Sequence, residues 1–187
     1  MRTQIGNAGR RAGRVLPWCV AMLMLLAGLP AQGPPSAPVV VFVGLHGGAF
    51  SAFQALAGAA RVEVDYVDDD QVAAAEARFA AAAAVIVQHV RDAKQLAAAL
   101  HAAKRRQPGL RVFGLANGGG SSPHGLDGLM ENDARLSAYY RAPRRENLAA
   151  LLLRVRQLVL GEADSAPEPL PLALGVLHRP GRDAAFA

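Results

Sequence analysis

The chain has almost no cysteine: Cys19 is the only one among 187 residues. That excludes a disulfide framework and any cysteine zinc cluster. Aromatic residues are scarce, at 5%. Alanine tracts such as Ala73–Ala75 and Ala80–Ala84 supply much of the apolar share, which predicts a thin-walled core. No G-x-x-x-x-G-K-[ST] phosphate loop occurs, and there is no internal repeat. Hydrophobicity itself is not lacking. The chain is 52% apolar and 19% charged, too apolar for disorder and able to build a core. Its length fits one domain with additions at the ends.

The formal net charge of +5 suggests a polyanionic partner, but its distribution argues otherwise. Residues 1–14 carry Arg2, Arg10, Arg11 and Arg14 and no acid. Residues 15–29 (VLPWCVAMLMLLAGL) are uncharged, and Ala31 and Gly33 are small residues at −3 and −1 of a cut after Gly33. Basic, apolar, then small is the order of a secretory signal peptide, expected over 1–33. The alternative is an uncleaved anchor, although a span needs about 20 apolar residues and Pro17 interrupts this shorter run. Arg10-Arg11 hints at twin-arginine export, but Ala12-Gly13-Arg14 fits that motif poorly. Removing these four arginines from the 20 basic residues leaves 16 against 15 acids, and Cys19 leaves too. The near-neutral remainder excludes a phosphate-tracking nucleic-acid face. It is expected to be periplasmic or extracellular, with no membrane span once the signal is cut.

After a spacer over 34–38, strand and helix patterns alternate across 39–160. Val39–Val43 is a continuous β-branched run, as in a strand covered on both faces. Phe50–Ala60 reads as a short helix. Arg61–Val67 alternates, a strand with one wetter face, nearer an edge. Asp68-Asp69-Asp70 places acids at a helix start, with the helix expected to run to about Ala80. Ala84–His89 is a third strand. Asp92 opens the next helix, and Lys104-Arg105-Arg106 crowd its end, the favourable polarity at both termini. Leu110–Ala116 is a fourth strand, followed by a glycine-rich loop over 117–128. Glu131–Tyr140 reads as helical. After Pro143 a helix runs to about Leu160, with Leu148, Leu151, Leu152, Val155, Leu158 and Val159 on one stripe. Residues 161–187 form a proline-rich linker and a short extended tail. Four strand–helix units predict an α/β fold. We expect a parallel sheet of four or five strands with helices on both faces, flavodoxin-like or Rossmann-like.

Ligands of such sheets sit beyond the carboxyl ends of the strands. Those ends carry His46, His89 and His124, which together could collect zinc, copper, cobalt or iron. The competing reading is three separate histidines, each bonded to backbone or water. Gly44-Leu45-His46-Gly47-Gly48 resembles a nucleotide phosphate turn, with Asp65 or Asp68 at the ribose distance. His46, however, stands at the middle glycine position and would obstruct a pyrophosphate. The backbone of Asn117, Gly118, Gly119, Gly120 and Ser121 can face a carboxylate or phosphate, a generic anion site. Ser121, His124 and Asp127 offer hydrolase side chains. Gly119-Gly120-Ser121-Ser122-Pro123 nevertheless fails the G-x-S-x-G elbow at its last position. Asp68–Asp70 reads as a solvated helix start.

The C-terminal third carries a recognisable order. Ala138-Tyr139-Tyr140 is followed by Arg144-Arg145-Glu146-Asn147-Leu148, a proline-rich stretch, and Leu174-Gly175-Val176-Leu177-His178-Arg179-Pro180. Over about 45 residues this resembles the N-terminal region of the CobN family, the cobaltochelatase large subunits, which are related to the magnesium chelatase H subunit. Members of that family show Gly-Gly where this chain has Arg144-Arg145, and His-Pro where it has His178-Arg179-Pro180. The resemblance implies tetrapyrrole and divalent-metal chemistry for the family. For this chain it implies an accessory role, because the chelatase body would begin about where Ala187 ends it. The implied partners are a tetrapyrrole ligand or a separate chelatase body. No catalytic residue carries over, and His178 is implied as a structural residue at a domain junction. Two rival readings stay open: an envelope small-molecule or metal-binding module unrelated to tetrapyrroles, and a hydrolase using the Ser121–Asp127 loop.

Overall fold

The computed structural model describes residues 36–45, 48–115, 126 and 128–172, and the strand segments 176–179 and 182–185. All of these but Ser36 belong to one contact unit, Ala37–Ala187. The 1–33 segment lies outside the described residues. Among those described, no helix is long and apolar enough to cross a membrane.

The elements follow in the order β1 Val39–Val43, α1 Ala49–Ala60, β2 Glu63–Val67, α2 Glu76–Ala81, β3 Ala84–Val87 and α3 Ala93–Arg106. β4 Arg111–Gly114, α4 Ala134–Arg141 and α5 Arg145–Leu160 come next, then β5 Val176–Arg179 and β6 Arg182–Ala185. The first four strands form one parallel sheet in the order β2-β1-β3-β4. β5 and β6 form a separate antiparallel pair. The result is a mixed α/β fold, consistent with a generic Rossmann- or flavodoxin-like arrangement.

The two faces of the sheet explain why β1 and β3 read as unbroken apolar runs. Val40, Phe42, Ala84, Ile86, Phe113 and Leu115 point to one side and pack under α1, α4 and α5. There Phe42 stacks on Phe53 at 4.4 Å between ring centroids. Val41, Val43, Val67, Val85, Val87 and Val112 point to the other side and pack under α2 and α3. Both faces of the central strands are therefore dry, and period-two alternation disappears. β2 is an edge strand, and its burial grades from exposed Glu63 to buried Val67 instead of being complete along its length.

Side-chain caps start two of the helices. The Asp92 carboxylate accepts the Gln95 N–H at 3.0 Å and starts α3. Asp133 accepts from both Arg135 and Leu136 and starts α4. The acids at 68–70 do not open a helix. Asp68 uses one carboxylate oxygen on the Asp69 N–H, and the Gln71 N–H bonds the Asp68 carbonyl. A carboxylate bonding its own neighbouring backbone favours a turn over a helix. A 3₁₀ turn follows at Val72–Ala74, and α2 begins only at Glu76.

The β4 edge is covered by a one-residue bridge. Glu131 N–H donates to the Val112 carbonyl at 2.7 Å, and Gly114 N–H donates to the Glu131 carbonyl at 3.4 Å. Arg111 grips the Glu131 carboxylate with two nitrogens and also donates to the Leu158 carbonyl, tying this edge to α5. The Arg111 hydrogen bond, opposed by burial and helped by the charges of Arg111 and Lys104, holds the Glu131 carboxyl below its ordinary 4.5. A depressed carboxylate contributes stability that is present above the unfolded value and lost as pH falls through the folded one. Melting temperature should therefore fall as pH drops below 4.5. Glu131→Gln should lower it at neutral pH and weaken its acid dependence, which thermal melts at several pH values would read.

Candidate functional site

In an open parallel sheet the ligand crevice opens where the strand order reverses, here between β1 and β3 at their carboxyl ends. Gly44 sits at that point, against the backbone of His89. Its φ is +66°, and a Cβ built on it would lie 1.9 Å from the His89 carbonyl oxygen. Its N–H donates to the Val67 carbonyl at 3.3 Å, while Gln88 N–H donates to the Val43 carbonyl at 3.1 Å. The first glycine of the Gly44–Gly48 turn is thus required by backbone packing between the ends of three strands.

Polar side chains ring this end of the sheet. Asp69 is 7% exposed, and its carboxylate receives the Arg91 Nε at 2.9 Å. Arg91 itself is largely solvated, so a buried anion is covered by an exposed cation. Gln88 is buried, and its amide oxygen accepts the Tyr140 hydroxyl at 2.8 Å, which ties α4 to the end of β3. The carboxylates of Asp68, Asp69 and Asp70 lie within 4.8 Å of one another and could coordinate a divalent cation. Burial, the charge of Asp68, its hydrogen bond, and the charges of Asp69 and Asp70 raise the Tyr66 phenol above its ordinary 10. That phenol stays protonated as a donor at the acidic rim.

Of the three candidate metal histidines, His89 is described and is exposed at the end of β3. His46 and His124 lie outside the described residues, as do Asn117–Ser121 and Asp127. The described structure therefore neither assembles nor separates that set. Asp65, at the ribose distance in the nucleotide reading, is gripped by Arg78 (Nε to Oδ2, 2.8 Å). The pairing of buried Asp69 with solvated Arg91 has no counterpart among the expectations from sequence. Three consecutive acids directly after a strand are the only signal that could have pointed to it.

A second polar cluster joins the C-terminal segment to the body. Residues 164–170 run extended along α4 and α5, held by side chains from both helices. Tyr139 is fully buried, and its hydroxyl donates to the Pro167 carbonyl. Arg135 donates to the carbonyls of Ala166 at 2.6 Å and Pro167 at 3.1 Å, and to the Tyr139 oxygen at 2.9 Å. Asn147, 1% exposed, clasps Leu170 through both amide atoms at 2.8 Å and also donates to the Ala142 carbonyl at 2.8 Å. Arg154 bridges Asp133 and Asp164, each at 2.9 Å. A cavity of about 260 Å³ opens between α1 and the start of α5, lined by Ala52, Ala55, Leu56, Pro143, Arg145 and Leu148. His178 lies in β5, opposite Asp183 of β6.

No protein-family model, curated protein or solved structure matches the chain.

Proposed function

We propose that this chain is an exported accessory module of the CobN type, without catalytic machinery of its own. Its α/β body would bind a tetrapyrrole or metal at the β1/β3 crevice, or dock to a separate chelatase body. One observation carries this reading. Tyr139 and Asn147, two of the residues that bear the family resemblance, are the side chains that clasp the strap leading to β5. The resemblance therefore falls on residues with a joint structural task, holding residues 166–170 against α4 and α5. His89 supplies one imidazole at the crevice, with His46 and His124 as its proposed companions. The flavodoxin-like assignment, the signal peptide and the periplasmic or extracellular location belong to the same proposal. Titration calorimetry of the full chain with haem and, separately, with Co²⁺ tests it. Saturable one-to-one heat with either is expected, and His89→Ala should weaken it. No heat with either would remove the binding role.

A second reading rests on Asp68–Asp70. An all-oxygen donor set suits Ca²⁺ or Mg²⁺ rather than cobalt or zinc, so this would be a cation-binding envelope module unrelated to tetrapyrroles. Its support is the 4.8 Å clustering of the carboxylates. Arg91 on Asp69 and the Asp69 N–H on Asp68 already compete for two of them. Ca²⁺ binding abolished by Asp68→Asn with Asp70→Asn, with no response to haem, would favour it.

A further inference from the structure

We propose that the Asp65–Arg78 pair is an edge guard. It occupies the outward backbone groups of Tyr66 in β2 and so prevents β2 of one copy from pairing with β2 of a second.

Hydrogen bonding alternates along a strand of a parallel pair. Glu63 N–H bonds the Pro38 carbonyl, and the Val67 carbonyl receives Gly44 N–H, so 63, 65 and 67 face β1. Val64 and Tyr66 must then turn their N–H and C=O groups outward, away from the sheet. Such a row is a template for another strand. At Tyr66 both groups are occupied. Its N–H donates to Asp65 Oδ1 at 2.8 Å, and its carbonyl accepts Arg78 Nη2 at 2.6 Å. The same Arg78 forks the Asp65 carboxylate, so one guanidinium and one carboxylate close the site together. Both side chains are 42% exposed. Their task is therefore at the surface and not in the core.

Symmetry makes the second copy the occupant in question. The two outward residues are placed symmetrically about Asp65. An antiparallel pairing that used both would set Val64 opposite Tyr66 of the second copy, and Asp65 opposite Asp65 on the two-fold axis. Such an isologous contact is the commonest route to a dimer. Like charges directly opposite are destabilising, so Asp65 opposes this register even before its bond to Tyr66 is counted. The other sheet edge, β4, is closed by Glu131. Among the described residues, Val64 is the outward position of β2 that the Asp65–Arg78 pair leaves open.

The test compares the full chain with Asp65→Val plus Arg78→Ala, a change neutral in net charge. The control removes another exposed pair, Glu76→Ala plus Arg106→Ala, whose nitrogen and oxygen are 2.9 Å apart away from the edge. Sedimentation velocity over a concentration series, at about 0.15 M salt to screen Glu63 and Asp68–Asp70, reads self-association. The guard variant should dimerise at least about tenfold more tightly than wild type, given four new backbone hydrogen bonds. The control should match wild type. Adding Val64→Pro to the guard variant removes an outward N–H without touching the β1 ladder and should return it to wild-type behaviour. Asp65→Thr plus Arg78→Ala serves if the first variant does not fold. A guard variant no more associated than the control overturns the proposal, and so does association that Val64→Pro leaves unchanged.

Discussion

Replacing Gly44 by alanine should destabilise the fold by about 2–4 kcal/mol, combining a left-handed backbone penalty with an overpacked contact. The residue sits at φ +66°, which L side chains rarely adopt, and its new methyl carbon would meet the His89 carbonyl oxygen at 1.9 Å. That neighbour is backbone, so no rotamer change can relieve the clash. The loop after β3 must move, or Gly44 must leave its bond to Val67. Equilibrium denaturation would give the loss. Ligand titration at matched fraction folded would show whether the crevice is deformed as well. A change below about 0.5 kcal/mol, the usual range of surface substitutions, would show that the ends of β1 and β3 are not locked together. Gly48, in the same turn, has open space where a Cβ would go and a negative φ. Gly48→Ala is therefore the internal control and should be close to neutral.

Asn147→Ala should cost about 2–3 kcal/mol. The amide makes three bonds from a site 1% exposed, and its loss leaves the Ala142 carbonyl with the Arg144 N–H alone while freeing both groups of Leu170. Buried groups left unpaired cost about 1–3 kcal/mol each. Leu170 is partly exposed and recovers some of this from water. The effect should also be local. Residues 164–170 should gain hydrogen exchange and protease sensitivity, while β1 and β3 remain protected. Asn147→Asp is a sharper probe. It keeps an acceptor for the Leu170 N–H but turns a carboxylate oxygen toward two carbonyls, so it should be no better than alanine. Equal protection of the strap in wild type and Asn147→Ala would remove Asn147 as its anchor.

Much of the fold is legible in the sequence because both central strands are dry on both faces. Val39–Val43 and Ala84–Val87 have no polar interruption, and that pattern specifies covered parallel strands. β2 is recognisable as nearer an edge from its alternation alone. Asp92 and Lys104–Arg106 mark both ends of α3, since a helix terminus has a chemical signature within one turn. The 68–70 segment is not legible in the same way. Acids suit a helix start, but an aspartate can equally bond its own neighbouring backbone, and here that local bond prevails. Proline and glutamate at 162–171 look like a linker, because composition does not reveal partners far along the chain. Tyr139, Arg135, Asn147 and Gln157 supply those partners, 8 to 32 residues away. For the same reason, pairs such as Asp69–Arg91, Gln88–Tyr140 and Asp65–Arg78 leave no local trace. Each joins residues that the sheet order and the helices packed on the sheet bring together. Parts of the candidate site were legible as a rim, since glycine and histidine follow β1 and β3. Which of those residues meet depends on loop geometry that no spacing rule encodes.

The central claim is that the crevice at the ends of β1 and β3 receives a tetrapyrrole. Titrating the isotopically labelled full chain with a diamagnetic zinc porphyrin, and following backbone amide shifts, tests it most directly. The account predicts saturable shifts at Gly44, Gln88 and His89, with Gln107 and Gly109 at the opposite end of the sheet unmoved. Shifts confined to Ala52, Leu56 and Leu148 around the α1–α5 cavity, or no saturable shift at any residue, would contradict it.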